Sequence, residues 1–312
     1  MSELLTNLGS ALLLSQEELL KLVRSAPRRY KVYAIPKRTP GKLRIIAQPA
    51  KEVKALQYWV LEHFLKQFTV HEAATGYREG LNIADNARPH VSGRFLLKLD
   101  FTDFFPSITS RDFRLFLRRR KVQLEPGDVE ALERILFWKP KGTDLLSLSI
   151  GAPTSPSLSN ILLADFDSEV STFCVKHAIA YTRYADDLSF SAEASANIAL
   201  VEKKVLAICS RTKSPRLTVN PEKVVRVSRR QSRRVTGLTL TNDGKVSLGR
   251  ETKRKVRAAV HHFVTGKLDD EQRAELKGML AYVNSVEPDL LSRLSRKFGS
   301  EVIRRLLSGA LG

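Results

Sequence analysis

Tyr181-Thr182-Arg183-Tyr184-Ala185-Asp186-Asp187-Leu188-Ser189-Phe190 decides how the rest of the chain is read. Apolar residues flank the two acids on both sides, so the stretch predicts two short strands joined by a tight turn. The turn falls on Ala185-Asp186-Asp187, where Asp tolerates unusual backbone angles. Adjacent carboxylates there repel one another and weaken the fold unless a positive charge sits between them. A divalent cation is the natural partner, since Mg2+ is held by one or two carboxylates together with substrate phosphates. Taken alone, a solvated Asp-Asp hairpin tip fits equally well, and the neighbouring segments have to decide.

Upstream, Phe95-Leu96-Leu97-Lys98-Leu99-Asp100 reads as a buried strand ending in an acid. A carboxylate at the mouth of an apolar strand costs stability unless its charge is compensated. It is well placed as a third ligand beside Asp186 and Asp187. Three carboxylates from two strands can hold two cations about 4 Å apart, the spacing used for in-line phosphoryl transfer. Phe101-Thr102-Asp103-Phe104-Phe105-Pro106-Ser107-Ile108 follows and turns into a helix near Arg111. Residues 111–140 read as helical and basic, with Arg118-Arg119-Arg120-Lys121 on a nucleic-acid face. Gly151-Ala152-Pro153-Thr154-Ser155-Pro156-Ser157-Leu158-Ser159-Asn160 is a loop of small residues entering a helix from Ile161 to Cys174. Small side chains let a backbone or base pair approach closely, and hydroxyls ahead of a helix also cap it.

Downstream, a helix around Ile198 to Ser210 precedes Leu217-Thr218-Val219-Asn220-Pro221-Glu222-Lys223. A dense cationic stretch of Arg226, Arg229, Arg230, Arg233 and Arg234 leads into Val235-Thr236-Gly237-Leu238-Thr239-Leu240. Asn242-Asp243-Gly244 is a strong hairpin turn. From Arg250 the pattern is helical: Arg250, Lys253, Arg254 and Arg257 share one face, with Val256, Val260 and Phe263 on or near another. Two further helices, about 269–284 and 288–308, complete the chain.

At the other end, residues 1 to about 25 read as helical, with a capping box of Ser15 and Glu18. Strands at Tyr30–Pro36 and Leu43–Ala47 enclose a basic turn, so Lys37, Lys42 and Arg44 can present cations to a triphosphate or a template backbone. Glu52 to Phe68 predicts an amphipathic helix with Leu56, Trp59, Val60, Phe64 and Leu65 inward. A loop at 74–80 precedes Asn86-Ala87 and His90. His90 reads as a satisfied structural histidine, and none of the six histidines has metal-ligand spacing.

Lys and Arg total 52 against 33 Asp and Glu, a net charge of +19 and a pI near 10.1. A surplus that large attracts polyanions and leaves a nucleic-acid footprint. The 312 residues suffice for two or three subdomains, and a 43% hydrophobic fraction belongs to a globular chain. No apolar run reaches membrane-spanning length, and the N-terminus lacks a secretory pattern. Cys174 and Cys209 lie far apart and read as reduced, buried side chains of a cytoplasmic protein.

With Asp100, the Gly151 loop, the Asp186-Asp187 turn and Lys223 in this order, the chain resembles reverse transcriptases from about residue 28 to its end. Tyr184-Ala185-Asp186-Asp187 is the most specific piece, together with Gly-Ala-Pro-Thr-Ser-Pro at 151–156. Within that class it is most similar to the retron reverse transcriptases of bacteria. Its compact length points there, as do Asn86-Ala87-Arg88-Pro89-His90, matching an NAxxH element, and Val235-Thr236-Gly237, matching a VTG element. The resemblance implies an α+β right-hand polymerase fold. Residues 1–94 would hold the N-terminal helix and fingers, 95–240 a ferredoxin-like palm with a finger-like helical insertion at about 111–145, and 241–312 an RNA-binding helical thumb.

Carried onto this sequence, the family pattern makes Asp100, Asp186 and Asp187 ligands of two Mg2+ ions (Mn2+ as a substitute), assisted by the Phe101 carbonyl. Lys223 would protonate the leaving pyrophosphate. Phe105, five positions after Asp100, matches an aromatic gate against the sugar 2′-hydroxyl, with Asp103, Phe104 and Gly151 around the nucleotide. Arg44 and Lys37 match cations that clasp the triphosphate. The family usually has Gln before the Gly151 loop, where this chain has Ile150. Arg250, Lys253, Arg254 and Arg257 would dock RNA stem-loops, while Asn86, His90, Val235, Thr236 and Gly237 are family motifs of unassigned role. The implied partners are dNTPs, a cognate structured non-coding RNA of the msr-msd type, its DNA copy, and a separate effector protein acting in antiviral defence; no membrane is implied. Two rivals stand beside this reading: another bacterial reverse transcriptase of the intron or diversity-generating kind, and a non-catalytic RNA-binding antitoxin that keeps the fold.

Overall fold

The structure is a computed structural model and describes residues 2–36 and 41–308. The N-terminal helical segment is two helices, α1 (Glu3–Ala11) and α2 (Gln16–Ser25). Leu13 turns the chain between them with a left-handed φ of 56°, which lets both Leu8 and Leu19 bury in one core. Ser15 and Glu18 close the expected capping box at the start of α2. Next, β1 (Tyr30–Pro36) and β2 (Leu43–Pro49) pair antiparallel as a separate ribbon, with Tyr30 opposite Pro49. Its far half is exposed on both faces, at Val32, Tyr33, Ile35, Leu43 and Ile45.

Helix α3 (Lys51–His63) buries Val53, Leu56 and Val60, and only a single 3-10 turn at Leu65–Gln67 continues the helix expected to reach Phe68. A short helix α4 (Ile83–Ala87) leads to β3 (Phe95–Asp100). After it come α5 (Phe104–Ser107), α6 (Ser110–Arg119) and α7 (Pro126–Leu136). The single helix expected over 111–140 is therefore two. The chain leaves α6 with a left-handed Lys121, and Pro126 starts α7, where its missing N–H costs nothing. Beyond Leu136 the chain is non-helical, with Trp138 bridging to Ser147.

Helices α8 (Thr154–Leu162) and α9 (Ala164–Lys176) replace the one helix expected from Ile161. Most of the small-residue loop is already helical. Pro156 permits this because it sits in the first turn, whose N–H groups have no intrahelical partner. Then follow β4 (Ala180–Tyr184), β5 (Asp187–Ala192), α10 (Ser195–Arg211) and β6 (Val225–Ser228). The sheet runs β4-β5-β3-β6 and is antiparallel throughout.

Strand alternation divides its two faces. Leu97, Leu99, Leu188 and Phe190 share the face that joins the main apolar core, where α9 and α10 pack. Leu96, Lys98, Asp100, Asp187, Ser189 and Ser191 share the other. The acids are thus on the face turned away from the main core, which is why an otherwise apolar strand tolerates one.

Three short strands, β7 (Arg233–Val235), β8 (Leu238–Leu240) and β9 (Val246–Ser247), form a last sheet. Thr236 and Gly237, both at positive φ, make the first turn, and the Asn242-Asp243-Gly244 hairpin forms as expected. Helices α11 (Gly249–Val264), α12 (Asp270–Val286), α13 (Pro288–Phe298) and α14 (Ser300–Ser308) end the described chain. The helix expected over 288–308 is interrupted at Gly299, whose φ of 96° ends α13. Val256, Val260, Leu280 and Leu290 build a second core that reaches back to Ala84, Ala87 and Leu96. Among the described residues no helix is long and apolar enough to cross a membrane.

Candidate active site

Backbone pairing brings the three acids together. Asp100 and Asp187 are direct partners across the β3–β5 ladder, a relation that sets Cβ atoms about 5 Å apart. Phe101 N–H donates to the Asp186 carbonyl at 3.1 Å, closing the ladder at its end. The turn itself differs from expectation: Ala185, not an Asp, takes the left-handed φ of 56°, and Asp187 already belongs to β5. Asp186 stays in the turn, held at its carbonyl.

Burial pushes the Asp186 carboxyl up to about 6, with the neighbouring Asp100 and Asp187 adding to the effect. Burial also raises Asp187; Lys98 and Lys223 oppose this, and Asp100 reinforces it. Lys223 Nζ donates to both oxygens of Asp100, at 2.7 and 2.8 Å. Among the described residues no group of three His, Cys, Asp or Glu side chains stands ready-made to hold a metal. Lys223 takes both oxygens of the third acid that such a cage would need. The cluster is an anionic centre only partly offset by the ammonium groups of Lys223 and Lys98, a donor set of hard oxygens suited to Mg2+ rather than to softer metals.

A buried network aims the turn. Arg183 and Asp167 are both fully buried and form a two-pronged pair, with Nε at 2.8 Å and the terminal nitrogen at 2.5 Å. Tyr181 donates its hydroxyl to the same carboxylate at 2.7 Å. The other arm of Arg183 donates to the Ala185 carbonyl at 3.2 Å and to Asn160 Oδ1 at 3.1 Å. Asn160 Nδ2 in turn donates to the Gly76 carbonyl at 2.8 Å. Gly76 lies so close to the turn that a Cβ there would stand 3.0 Å from Ala185 N and 3.2 Å from the Tyr184 ring.

The two family motifs of unassigned role meet behind the same hairpin. His90 bridges Ser191 Oγ at 2.9 Å and Thr182 Oγ1 at 2.8 Å, and burial lowers its pKa to about 3. Asn86 accepts from Thr75 Oγ1 at 2.7 Å, and its carbonyl accepts from Thr182. Thr236 Oγ1 donates to the Ile83 carbonyl at 3.0 Å, tying the Val235-Thr236-Gly237 turn to α4.

The remaining candidate residues are placed as follows. Phe101 and Phe104 are buried and stack on each other. Phe105 is half-buried, edge-on to Phe104 at 5.3 Å, and Asp103 is exposed with a φ of 44°. Gly151 presses against β2: a Cβ would come 3.0 Å from the Ala47 carbonyl, and Ile150 accepts a hydrogen bond from Ala47 N–H at 2.9 Å. Arg44 is exposed on β2, and its charge is felt at Tyr77, beside Asp186. Lys37 lies outside the described residues. Lys42 is exposed and forms an ion pair at 2.7 Å with Glu222, which is next to Lys223 in the chain. On α11, Arg250, Arg254 and Arg257 are exposed. Lys253, by contrast, is pinned to Glu287 at 2.7 Å with its side chain mostly covered, which withdraws it from the shared cationic face.

Sequence reasoning missed Arg183, Asp167, Asn160, Gly76 and Tyr77. An arginine inside an apolar strand was the one available signal, since such a charge demands a buried partner.

A family model described as reverse transcriptase (RNA-dependent DNA polymerase) matches residues 35–240. The chain is 43% identical over 289 residues to the retron Ec83 reverse transcriptase of Escherichia coli, covering 91% of this chain and 92% of that one. It is 30% identical over 309 residues to the retron Ec86 reverse transcriptase of Escherichia coli, covering 96% and 92%. Among solved structures, telomerase from Candida albicans, in complex with a TWJ fragment of telomeric RNA, superposes with a TM-score of 0.51 at 15% identity. That match covers 92% of this chain and 56% of the telomerase chain. Apo telomerase from Candida tropicalis gives the same score at 13% identity, covering 91% and 63%. At those identities the likeness speaks for the fold, a right-hand polymerase of mixed helix and sheet.

Proposed function

Because the chain belongs to the reverse transcriptases, and within them to those of retrons, and is thus an RNA-directed DNA polymerase, we propose that it copies part of its own structured non-coding RNA. Priming is from the 2′-hydroxyl of an internal guanosine, and the product is branched, RNA-linked single-stranded DNA. The observation that carries the catalytic part is the meeting of Asp100, Asp186 and Asp187 at the open end of two paired strands.

Asp100, Asp186 and Asp187, with the Phe101 carbonyl, would hold two divalent cations, Mg2+ or Mn2+ in its place. Burial first, and then repulsion from Asp100 and Asp187, raises the Asp186 carboxyl, and both are relieved by such cations. When bound, they supply acidification of the primer hydroxyl and charge neutralisation at the phosphates. Lys223 then leaves Asp100 and gives a proton from Nζ to the departing pyrophosphate. Phe105 packs under the incoming sugar and rejects a 2′-hydroxyl, while Arg44 and Lys37 meet the triphosphate. Gly151 lets its loop lie flat against β2, beside the nucleotide.

Residues 1–94 serve as N-terminal helix and fingers, 95–240 as palm, and 241–312 as thumb. The exposed Arg250, Arg254 and Arg257 suit the thumb to RNA stem-loops, which are read by shape, phosphates and 2′-hydroxyls. The buried, unpaired Cys174 and Cys209 accord with work in the reducing cytoplasm. Action in antiviral defence with a separate effector protein is proposed from the family resemblance alone.

Incubating the purified protein with transcripts of its own flanking DNA and dNTPs, then sequencing the products, tests the proposal. A product carrying a 2′,5′ branch at a guanosine is expected. Extension only from ordinary 3′ ends would overturn the retron priming while leaving polymerisation standing.

A further inference from the structure

The cationic run at 118–121 does not act as one patch. Arg119 and Arg120 turn to Asp165 on α9, the latter at 2.6 Å. Arg118 turns the other way, onto a depression of about 810 Å³ between α2, α6 and α7. Six cations and three acids line it. Each acid already has a partner: Glu133 with Arg114, Glu130 with Arg134, and Asp144 with Lys139. Arg24, Arg28 and Arg118 are exposed and have no ion pair or side-chain hydrogen bond among the described residues. A second depression of about 780 Å³ adjoins the first, shares Arg24 and Arg28, and adds Lys21 along with one acid, Glu17.

Lys21, Arg24 and Arg28 follow one another at helical spacing along α2 and the turn after it. They span on the order of 10 Å, room for roughly three phosphates of a stacked strand. The floor is aliphatic, with Leu117, Val122 and Leu146, and among the described residues no aromatic or histidine ring lines either depression. A surface that reads bases offers rings to stack on; this one offers only charge. Nor does it include the acids of the sheet or the arginines of α11.

We propose that this groove is a second nucleic-acid site, which holds the phosphate backbone of a single strand without reading its bases. The choice of partner rests on the polymerase reading above, since a polymerase of RNA and DNA is surrounded by such strands. RNA template and DNA product share the chemistry that the groove recognises.

The test is the salt dependence of binding of labelled 20-mers, oligo(U), oligo(dT) and oligo(dA), to the full chain. The variant combines Arg24→Gln, Arg28→Gln and Arg118→Gln, all at exposed and unpaired positions, with melting as the control for folding. Neutralising three phosphate contacts should shrink the slope of log K against log salt by roughly 2 on single strands. The shrinkage should be equal for oligo(dT) and oligo(dA). A loss on oligo(U) alone or on the DNA strands alone still supports the groove and identifies its strand. Lysine at the same three positions keeps the charge and should keep the slope. An unchanged slope in the glutamine variant overturns the proposal, as does a loss that depends on base or that lysine fails to rescue. Loss of affinity for ATP or pyrophosphate, with the strand slope intact, would make this a nucleotide site and also overturn it. The polymerase reading fails separately, in primer extension.

Discussion

Replacing Asp167 by Ala probes the network that holds the Asp186-Asp187 turn. Asp167 and Arg183 have no exposed side-chain surface, and the same carboxylate also takes the Tyr181 hydroxyl. Removal of the acid leaves a guanidinium and a phenol buried without it. Breaking a buried pair from one side costs about 3–5 kcal/mol, a large part of the 5–15 kcal/mol that typical domains possess. Urea unfolding followed by circular dichroism should show that loss as a lower midpoint with an unchanged slope. Arg183 also holds the Ala185 carbonyl, so polymerisation should fall even at temperatures where the variant stays folded. The double variant Asp167→Leu, Arg183→Met removes both charges. It should regain most of the stability, because the larger cost lies in the orphaned charge rather than in the missing attraction. A loss under about 1 kcal/mol in Asp167→Ala would refute the reasoning, as would a double variant no better than the single.

Three further outcomes follow from other parts of the site. His90 is neutral when folded, with its pKa lowered to about 3, whereas the unfolded chain takes up that proton near pH 6.5. Stability should therefore be flat above neutrality and fall as the pH drops, by about 1.4 kcal/mol between pH 7.5 and 5.5. His90→Gln should flatten that dependence, and an equally steep curve in the variant would dismiss His90 as its source. Phe105→Ala removes the half-buried ring beside Phe104 and should raise ribonucleotide incorporation relative to dNTPs in kcat/KM; an unchanged ratio removes the gate. Gly76→Ala puts a methyl 3.0 Å from Ala185 N, so the turn must shift. A stability loss of about 1–3 kcal/mol with slowed extension is expected, and parental values for both would show that the close approach is immaterial.

What could be read from the chain was what local pattern encodes. Strand β3 was expected at Phe95–Asp100 and lies there, because an apolar run bounded by Gly93 and an acid has few other uses. The Ser15–Glu18 capping box was likewise legible, since its bonds close within three residues. Helix interruptions at Leu13 and Lys121 were not, because a left-handed non-glycine residue leaves no mark in composition. Within the site, the acids were legible as types and spacings, but the network beneath them was not. Arg183 meets Asp167 across 16 positions and Asn160 across 23, and no periodicity reports such a pair. The same blindness to tertiary partners placed Lys253 on an open cationic face, although Glu287 claims it. Phe104 and Phe105 are adjacent and identical in type; only the packing against Phe101 shows which ring is buried and which stays half-exposed.

Primer extension on an RNA template by Asp187→Asn, beside its melting curve, is the most direct measurement of whether the paired strands gather their acids for polymerisation. Asp187 sits across the ladder from Asp100 in a crowded anionic cluster, so losing one charge there should leave the melting temperature equal to or above the parent's. DNA synthesis should vanish all the same. Substantial synthesis by a folded Asp187→Asn protein would contradict the account.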